Sequence, residues 1–216
     1  MSSPAQSMKA ADAILLIGPT GSGKTPLGSH IEEQGILERR CHHFDFGNEL
    51  RTIAGLNQPP HAFSLREHRF IRDLLAKGLL LENEHFPIAE KILLNFLKSC
   101  GYQEPDLLIL NGLPRHAGQA RDMARLVNVT HLLVLACTAG SVCERIEKNS
   151  GGDRTLRTDD SEEMIRKKLD IYQGRTAPLI RYYADHGSTL VTVTVDATST
   201  PQTITAAFAS HLMFRT

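Results

Sequence analysis

The sequence predicts an α/β fold: a central parallel sheet of about five strands between helical layers. Two observations predict it. Short apolar or β-branched runs alternate along the chain with segments of helical character. The first such run, Ala13-Ile14-Leu15-Leu16-Ile17, leads through a glycine-rich turn into a helix that can run from Gly23 to about Gln34. The turn is Gly18-Pro19-Thr20-Gly21-Ser22-Gly23-Lys24-Thr25, which fits G-x-x-x-x-G-K-[ST]. Its glycines let successive N–H groups converge on one point, and the following helix adds partial positive charge there. Strand, turn and helix in this order are the context a phosphate-binding loop needs, and they give the three-layer P-loop NTPase arrangement.

The remaining elements follow in order. His42-His43-Phe44-Asp45 is a second strand, and Gly47-Asn48-Glu49-Leu50-Arg51 opens a short helix. Gln58-Pro59-Pro60 is a loop. Ser64-Leu65-Arg66-Glu67 fits a capping box for a helix to about Lys77, ended by Gly78. Pro87 suits the first turn of the next helix, where Ile88, Ile92, Leu93 and Phe96 share one face. Leu107-Leu108-Ile109-Leu110 is a fully apolar strand with Asn111-Gly112-Leu113-Pro114-Arg115 as its exit turn. A helix over about 117–126, a strand over 131–135 and a helix over 141–148 come next. Asn149 to Asp153 is a flexible break, and Arg154 to Asp160 is a short basic-then-acidic segment. Asp160-Ser161-Glu162-Glu163 caps a helix through about Tyr172, and Thr176-Ala177-Pro178 begins another. Thr189 to Val193 is the last strand, β-branched in character, and Pro201 starts a terminal helix. There is no internal repeat and no low-complexity tract.

Composition narrows the class. The chain has 216 residues, 41% hydrophobic and 22% charged, which suits one domain. Lys plus Arg equals Asp plus Glu, so no bulk field draws it to nucleic acid or membrane. Any anion site must be built from locally placed cations. The four cysteines form no C-x-x-C pair and read as thiols of a reducing compartment. No apolar run is long enough to span a bilayer. Residues 1–10 are small and polar and read as a disordered tail before a domain covering 11–216. A cytoplasmic monomer is expected. The ten histidines show no metal-ligand spacing, and His42 and His43 read as strand residues without a catalytic role.

In a parallel sheet the ligand lies beyond the C-terminal ends of the strands. The phosphate loop, the Asp45–Arg51 stretch and the Asn111–Arg115 turn fall at such ends. With the 154–160 segment they bring Lys24, Arg51, Arg115, Arg154 and Arg157 towards one mouth. That is more positive charge than one bound triphosphate requires. It suggests two phosphorylated ligands with transfer between them.

These motifs resemble those of adenylate kinase and the other nucleoside monophosphate kinases, over about 13–208. Asn111-Gly112-Leu113-Pro114-Arg115 resembles D-G-[FY]-P-R, and Gly47-Asn48-Glu49-Leu50-Arg51 resembles G-D-L-L-R. Lys77-Gly78-Leu79-Leu80-Leu81 resembles the segment that packs on the acceptor base. Arg157-Thr158-Asp159-Asp160 resembles R-x-D-D of the lid, and Thr176-Ala177-Pro178-Leu179-Ile180 matches the family's segment after the lid. The resemblance implies a P-loop kinase domain with an acceptor-binding helical insert over 44–83 and a short, zinc-free lid over 148–161. It implies MgATP as donor and a nucleoside monophosphate as acceptor, AMP first. By the same resemblance Gly18, Pro19, Thr20, Gly21, Ser22, Gly23, Lys24 and Thr25 hold the donor phosphates, Arg145 stacks on the donor base, and Thr25 meets Mg²⁺ directly or through water. Phe46, Arg51, Leu80, Leu81, Gly112, Arg115 and Gln119 form the acceptor site, with Gln119 reading adenine. Lys24, Arg115, Arg154, Arg157, Asp159 and Lys168 are the implied catalytic set, Asp159 orienting the lid arginines. No general base is needed, because a phosphate oxygen is already anionic.

The departures from the family pattern are specific. The family's loop usually reads G-K-G-T, whereas here Thr25 follows Lys24 directly and Pro26 stands where the family has Thr. Asn111 replaces an acidic residue that helps hold Mg²⁺ through water, which leaves more of that work to Thr25 and the lid carboxylates. Phe46 replaces a small hydroxyl residue. Lys168 replaces an arginine, giving a point charge in place of a bidentate fork. Two rivals remain open on the sequence: a P-loop kinase for UMP, CMP or a small metabolite, and a nucleotide-binding regulatory protein of weak turnover.

Overall fold

The computed structural model describes residues 9–152 and 161–213. The proposed N-terminal tail (1–8 of it) and the 153–160 segment lie outside the described residues. Five strands form one parallel sheet: β1 (Ala11–Ile17), β2 (Cys41–Asp45), β3 (Leu107–Asn111), β4 (Val127–Ala136) and β5 (Thr189–Thr194). Their spatial order is β2-β3-β1-β4-β5, so β1 is central and the glycine-rich turn leaves the middle of the sheet.

Side-chain alternation along β1 builds the three layers. Ala13, Leu15 and Ile17 pack on one face with residues of α2 (Phe46–Gly55), α3 (Leu65–Ala76), α4 (Phe86–Ser99), α5 (Ala117–Met123) and, later in the chain, the helix Leu179–Asp185. Ile14 and Leu16 pack on the other, with Leu27 and Ile31 of α1 (Lys24–Gln34) and Ile204, Phe208 and Leu212 of the terminal helix Pro201–Met213. The remaining helices are α6 (Ala139–Glu147) and α7 (Glu162–Ile171), so the helices Leu179–Asp185 and Pro201–Met213 are α8 and α9. Among the described residues no helix is long and apolar enough to cross a membrane.

Several boundaries differ from the sequence expectation, each for a local reason. Gly23 does not open α1 but caps it, at φ 91°, a left-handed geometry that glycine adopts without strain. β4 starts at Val127, four residues early, and α5 accordingly stops at Met123. The register of β4 on β1 slips between Ala13 and Ile14, leaving Thr130 as an extra residue whose hydroxyl donates to the Ala13 carbonyl (3.1 Å). That slip hid the first half of the strand behind polar residues. The Ser64 capping box is present as expected, with Ser64 Oγ accepting from Glu67 N at 3.2 Å and Glu67 Oε2 accepting from Ser64 N at 2.8 Å. Ser161 caps α7 by accepting from Met164 N (3.3 Å), while Asp160 lies outside the described residues. After α7 the chain winds more loosely through a π turn, Tyr172–Thr176, before α8.

Gly28 lets α1 lie close against β2. A Cβ built there would collide with the His43 ring at Nε2 and Cδ2. Gly28→Ala should therefore destabilise the protein by about 1–3 kcal/mol through overpacking, despite the higher helix propensity of alanine. Urea unfolding with unchanged m-value would measure it, and a stabilised variant would show that the contact relaxes freely.

Candidate active site

The turn after β1 curls as its glycines allow. Gly21 has φ 78° and Gly23 φ 91°. Lys24, the first residue of α1, folds back over the turn, and its Nζ donates to the carbonyls of Gly18 (2.8 Å) and Pro19 (2.7 Å) and to Ser22 Oγ (3.3 Å). Ser22 itself is fully buried under the turn. The first turn of α1 carries no acidic residue, so the partial positive charge of the helix end is not offset from within. Pro26 sits in that same turn, where a missing N–H breaks no intrahelical bond. It does remove one donor that the end of the helix could offer an anion.

Beside the turn, three strand ends meet. Asp45 and Asn111 are register partners at the ends of β2 and β3. The Thr25 hydroxyl donates to Asp45 Oδ2 (2.6 Å), and Asn111 Nδ2 donates both to Asp45 Oδ2 (2.9 Å) and to Thr25 Oγ1 (3.1 Å). The other oxygen, Asp45 Oδ1, accepts from Asn48 N (2.9 Å) and caps α2. Burial works against the charged carboxylate of Asp45. The Thr25 hydroxyl, the Asn48 amide, His43 and Arg51 outweigh it and hold its pKa below the ordinary value. Sequence reasoning placed Asp45 in a strand and gave it no role. The available signal was the amide at Asn111, which calls for a carboxylate elsewhere at the same strand ends.

Across the same cleft, the turn after β3 carries Arg115. Its Nε donates to the Gly112 carbonyl (3.0 Å), and its own carbonyl accepts from the Thr176 hydroxyl (3.0 Å). Gly112 at φ 84° lets the turn fold under the guanidinium. Desolvation lowers the Arg115 pKa from its ordinary value, and the Asp45 carboxylate opposes that. Arg51, exposed on α2, lines the cleft with Phe46, Leu80, Leu81, Gly112, Gln119 and Lys168. Phe46 is buried, with its ring 6.1 Å from that of Phe44.

Gln119 has an environment the sequence did not suggest. It is 1% exposed, its Oε1 accepts from Arg115 N (2.7 Å), and its Nε2 donates to the Leu81 carbonyl (2.8 Å). His116 Nε2 is 3.1 Å from the same carbonyl, and its Nδ1 accepts from Gln119 N (3.4 Å), a pattern that fits the neutral Nε2–H tautomer. Gln119 thus ties the Leu79–Leu81 segment to the Arg115 turn.

Arg145 of α6 also lines the cleft, but it is 3% exposed. Its Nε donates to the Gly21 carbonyl (3.2 Å), and its Nη1 donates to the carbonyls of Ser199 (3.0 Å) and Asp196. The expected stacking residue is therefore also a brace between the glycine-rich turn and the connection from β5 to α9. Thr20, Gly21, Gly18, Gly23 and Thr25 line the cleft as well. Arg154, Arg157 and Asp159 lie outside the described residues.

A parallel sheet with this loop on its central strand and a cleft across the strand ends defines a P-loop NTPase fold. No family model matches the chain. It is 28% identical to the adenylate kinase of Rickettsia peacockii (strain Rustic) over 202 residues, covering 81% of this chain and 88% of that relative. It is 26% identical to the adenylate kinase of Thermus thermophilus over 210 residues, covering 95% and 99%. It is 25% identical to the adenylate kinase of Haloarcula marismortui over 216 residues, covering 88% and 92%. Over most of its length the chain is thus similar to adenylate kinases, at 25–28% identity.

The Arg145 brace makes a stability prediction. Arg145→Ala removes three hydrogen bonds made by a buried guanidinium and should cost about 2–3 kcal/mol, or roughly 5–10 °C in Tm. Arg145→Lys should rescue little, because a point charge cannot span carbonyls on two sides. Thermal unfolding of both variants tests this, and a wild-type Tm in Arg145→Ala would show that the brace contributes nothing.

Proposed function

We propose that the enzyme transfers the γ-phosphoryl group of ATP to a nucleoside monophosphate, AMP being the favoured acceptor. The observation that carries the reading is the pairing of two phosphate-binding devices across one cleft: Lys24 with the glycine-rich turn on one side, Arg51 with Arg115 on the other. Phosphoryl transfer asks for positioning and charge neutralisation more than for covalent chemistry. Lys24 would exchange its loop carbonyls for the β- and γ-phosphates, and the amides of 18–25 would cradle them. Arg115 would hold the acceptor phosphate in line, helped by Arg51. Lys168, Arg154 and Arg157 would add charge around the moving group, with Asp159 orienting the two arginines. The residues 44–83 and 148–161 would close over the acceptor and donor and exclude water, which limits hydrolysis of ATP.

Oxygen donors at Thr25 suit Mg²⁺, which is typically held by few protein oxygens together with substrate phosphates. Held there by Thr25, it would offset the negative charge of the donor phosphates. Leu80 and Leu81 would flank the acceptor base. The amide of Gln119 and the carbonyl of Leu81 now pair with each other. An adenine carries one acceptor and one donor on its pairing edge and could replace that bond. We also take the enzyme to be a cytoplasmic monomer acting on diffusible nucleotides.

The acceptor assignment is tested by diphosphate formation from MgATP across AMP, GMP, UMP, CMP and dTMP. AMP should give the highest kcat/KM. A pyrimidine that matches or exceeds it would move the acceptor while leaving the kinase reading intact.

Two substitutions separate acceptor binding from transfer. Arg115 leaves a rigid turn and would contact the acceptor phosphate as charge redistributes, so Arg115→Ala should lower kcat by at least roughly 10²-fold. Gln119→Ala removes hydrogen bonds to base and to backbone, and should cost about 1–3 kcal/mol, mainly in KM for AMP. Steady-state kinetics with AMP varied would decide. A change in KM alone for Arg115→Ala, with collapse of kcat for Gln119→Ala, would reverse these roles.

A further inference from the structure

The family's acidic residue at the end of β3 is an amide here, yet the strand ends are not without a carboxylate. Asp45 ends β2, and its register partner on β3 is Asn111. Its side chain returns across Asn111 to the phosphate loop, where Oδ2 accepts from Thr25 Oγ1 at 2.6 Å and from Asn111 Nδ2 at 2.9 Å. We propose that Asp45 has taken over the metal-positioning carboxylate from Asn111, so that Thr25 and Asp45 together hold the Mg²⁺ of MgATP, Asp45 directly or through a metal-bound water. This assignment rests on the phosphotransfer reading.

Three features of the triangle carry it. First, the Thr25 hydroxyl has one proton and two lone pairs. The proton goes to Asp45 and one lone pair takes the Asn111 amide, which leaves one lone pair for a cation. Second, neighbouring oxygens around an octahedral Mg²⁺, each about 2.0–2.1 Å from it, stand roughly 2.9 Å apart. The Thr25–Asp45 oxygen pair at 2.6 Å is close to that spacing. Third, Asn111 donates to both oxygens and so fixes their relative position without adding a second negative charge. A carboxylate there would face Asp45 directly and raise the cost of ionising the pair. Loop and strand changes thus go together: Thr directly after Lys24, Asp on β2, Asn on β3.

The rival explanation is that Asp45 is only the cap of α2, through Oδ1 and Asn48 N. Asparagine caps helices about as well as aspartate, so Asp45→Asn preserves that function and removes only the charge. The experiment is calorimetric titration of a non-hydrolysable ATP analogue into the unsubstituted protein, Asp45→Asn, Asn111→Asp and the double swap, each with saturating Mg²⁺ and with EDTA. Tm is recorded for each. The assignment expects Asp45→Asn to lose about 10–100-fold of the Mg²⁺-dependent gain in affinity while binding in EDTA is unchanged or tighter, because a negative charge near the phosphates is gone. It expects the double swap Asp45→Asn with Asn111→Asp to recover most of that gain. Equal Mg²⁺ dependence in the unsubstituted protein and Asp45→Asn would overturn it. So would equal loss with and without metal. Should Asp45→Asn not fold, the double swap decides alone: retained Mg²⁺ dependence supports the assignment and its loss overturns it. No analogue binding by the unsubstituted protein, with or without metal, would overturn the phosphotransfer reading and this assignment with it, an outcome distinct from the others.

Discussion

One carboxylate ties the working end of the sheet together. Asp45 joins the phosphate loop through Thr25, the end of β3 through Asn111 and the start of α2 through Asn48. Each partner comes from a different element, so the relative position of loop, β3 and α2 is set at a single point. A half-buried charge is costly unless its acceptor sites are used, and here both oxygens are engaged. The same atoms that satisfy the carboxylate therefore position the site. Moving β2 by one residue would turn Asp45 to the other face of the sheet and undo all three connections together.

A second layer of ties links the parts of the chain that border the cleft from opposite sides. Glu82, just after the Leu79–Leu81 segment, makes a two-pronged ion pair with Arg175 of the π turn, at 2.5 and 2.7 Å. Lys167 of α7 donates to the Lys77 carbonyl (2.7 Å). Gly78, at φ 59°, lies against the Met164 methyl, leaving no room for a Cβ. The Lys77–Glu82 segment and the stretch from α7 through the π turn are thus in contact through polar bonds on the protein surface. Exposed pairs of this kind hold weakly, a fraction of a kcal/mol up to about 1 kcal/mol each. The Gln119 and Asp45 connections beneath them are buried or half-buried instead.

Most of the fold was legible because its determinants are local. The glycines of 18–23, the Ser64–Glu67 box and the apolar runs each report their own conformation. What was not legible depends on partners distant in sequence. The first half of β4 interleaves Val127 and Val129 with Asn128 and Thr130, and Thr130 is accommodated by a register slip on β1. The confinement of Gln119 comes from Leu81, 38 residues away, and Arg145 is claimed by the connection after β5. Asp45 was visible as a residue but not as a site. Its meaning appears only when strand order puts β2 beside β3 and register puts Asp45 beside Asn111.

The charge balance gives these short-range arrangements their weight. The formal net charge is zero, so at physiological ionic strength, where screening acts over about 8 Å, anionic nucleotides gain little from the protein's overall field. Attraction must come from the cleft itself. Among its described lining residues Lys24, Arg51, Arg115, Arg145 and Lys168 are cationic, and Asp45 is the acidic member. The position of that one negative group then matters more than its contribution to the sum. Pointed at the phosphates it would weaken binding. In this structure it is engaged by the Thr25 hydroxyl, the Asn111 amide and the Asn48 N–H. A single carboxylate at this point is tolerable because the loop beside it is a threonine and the strand beside it an amide.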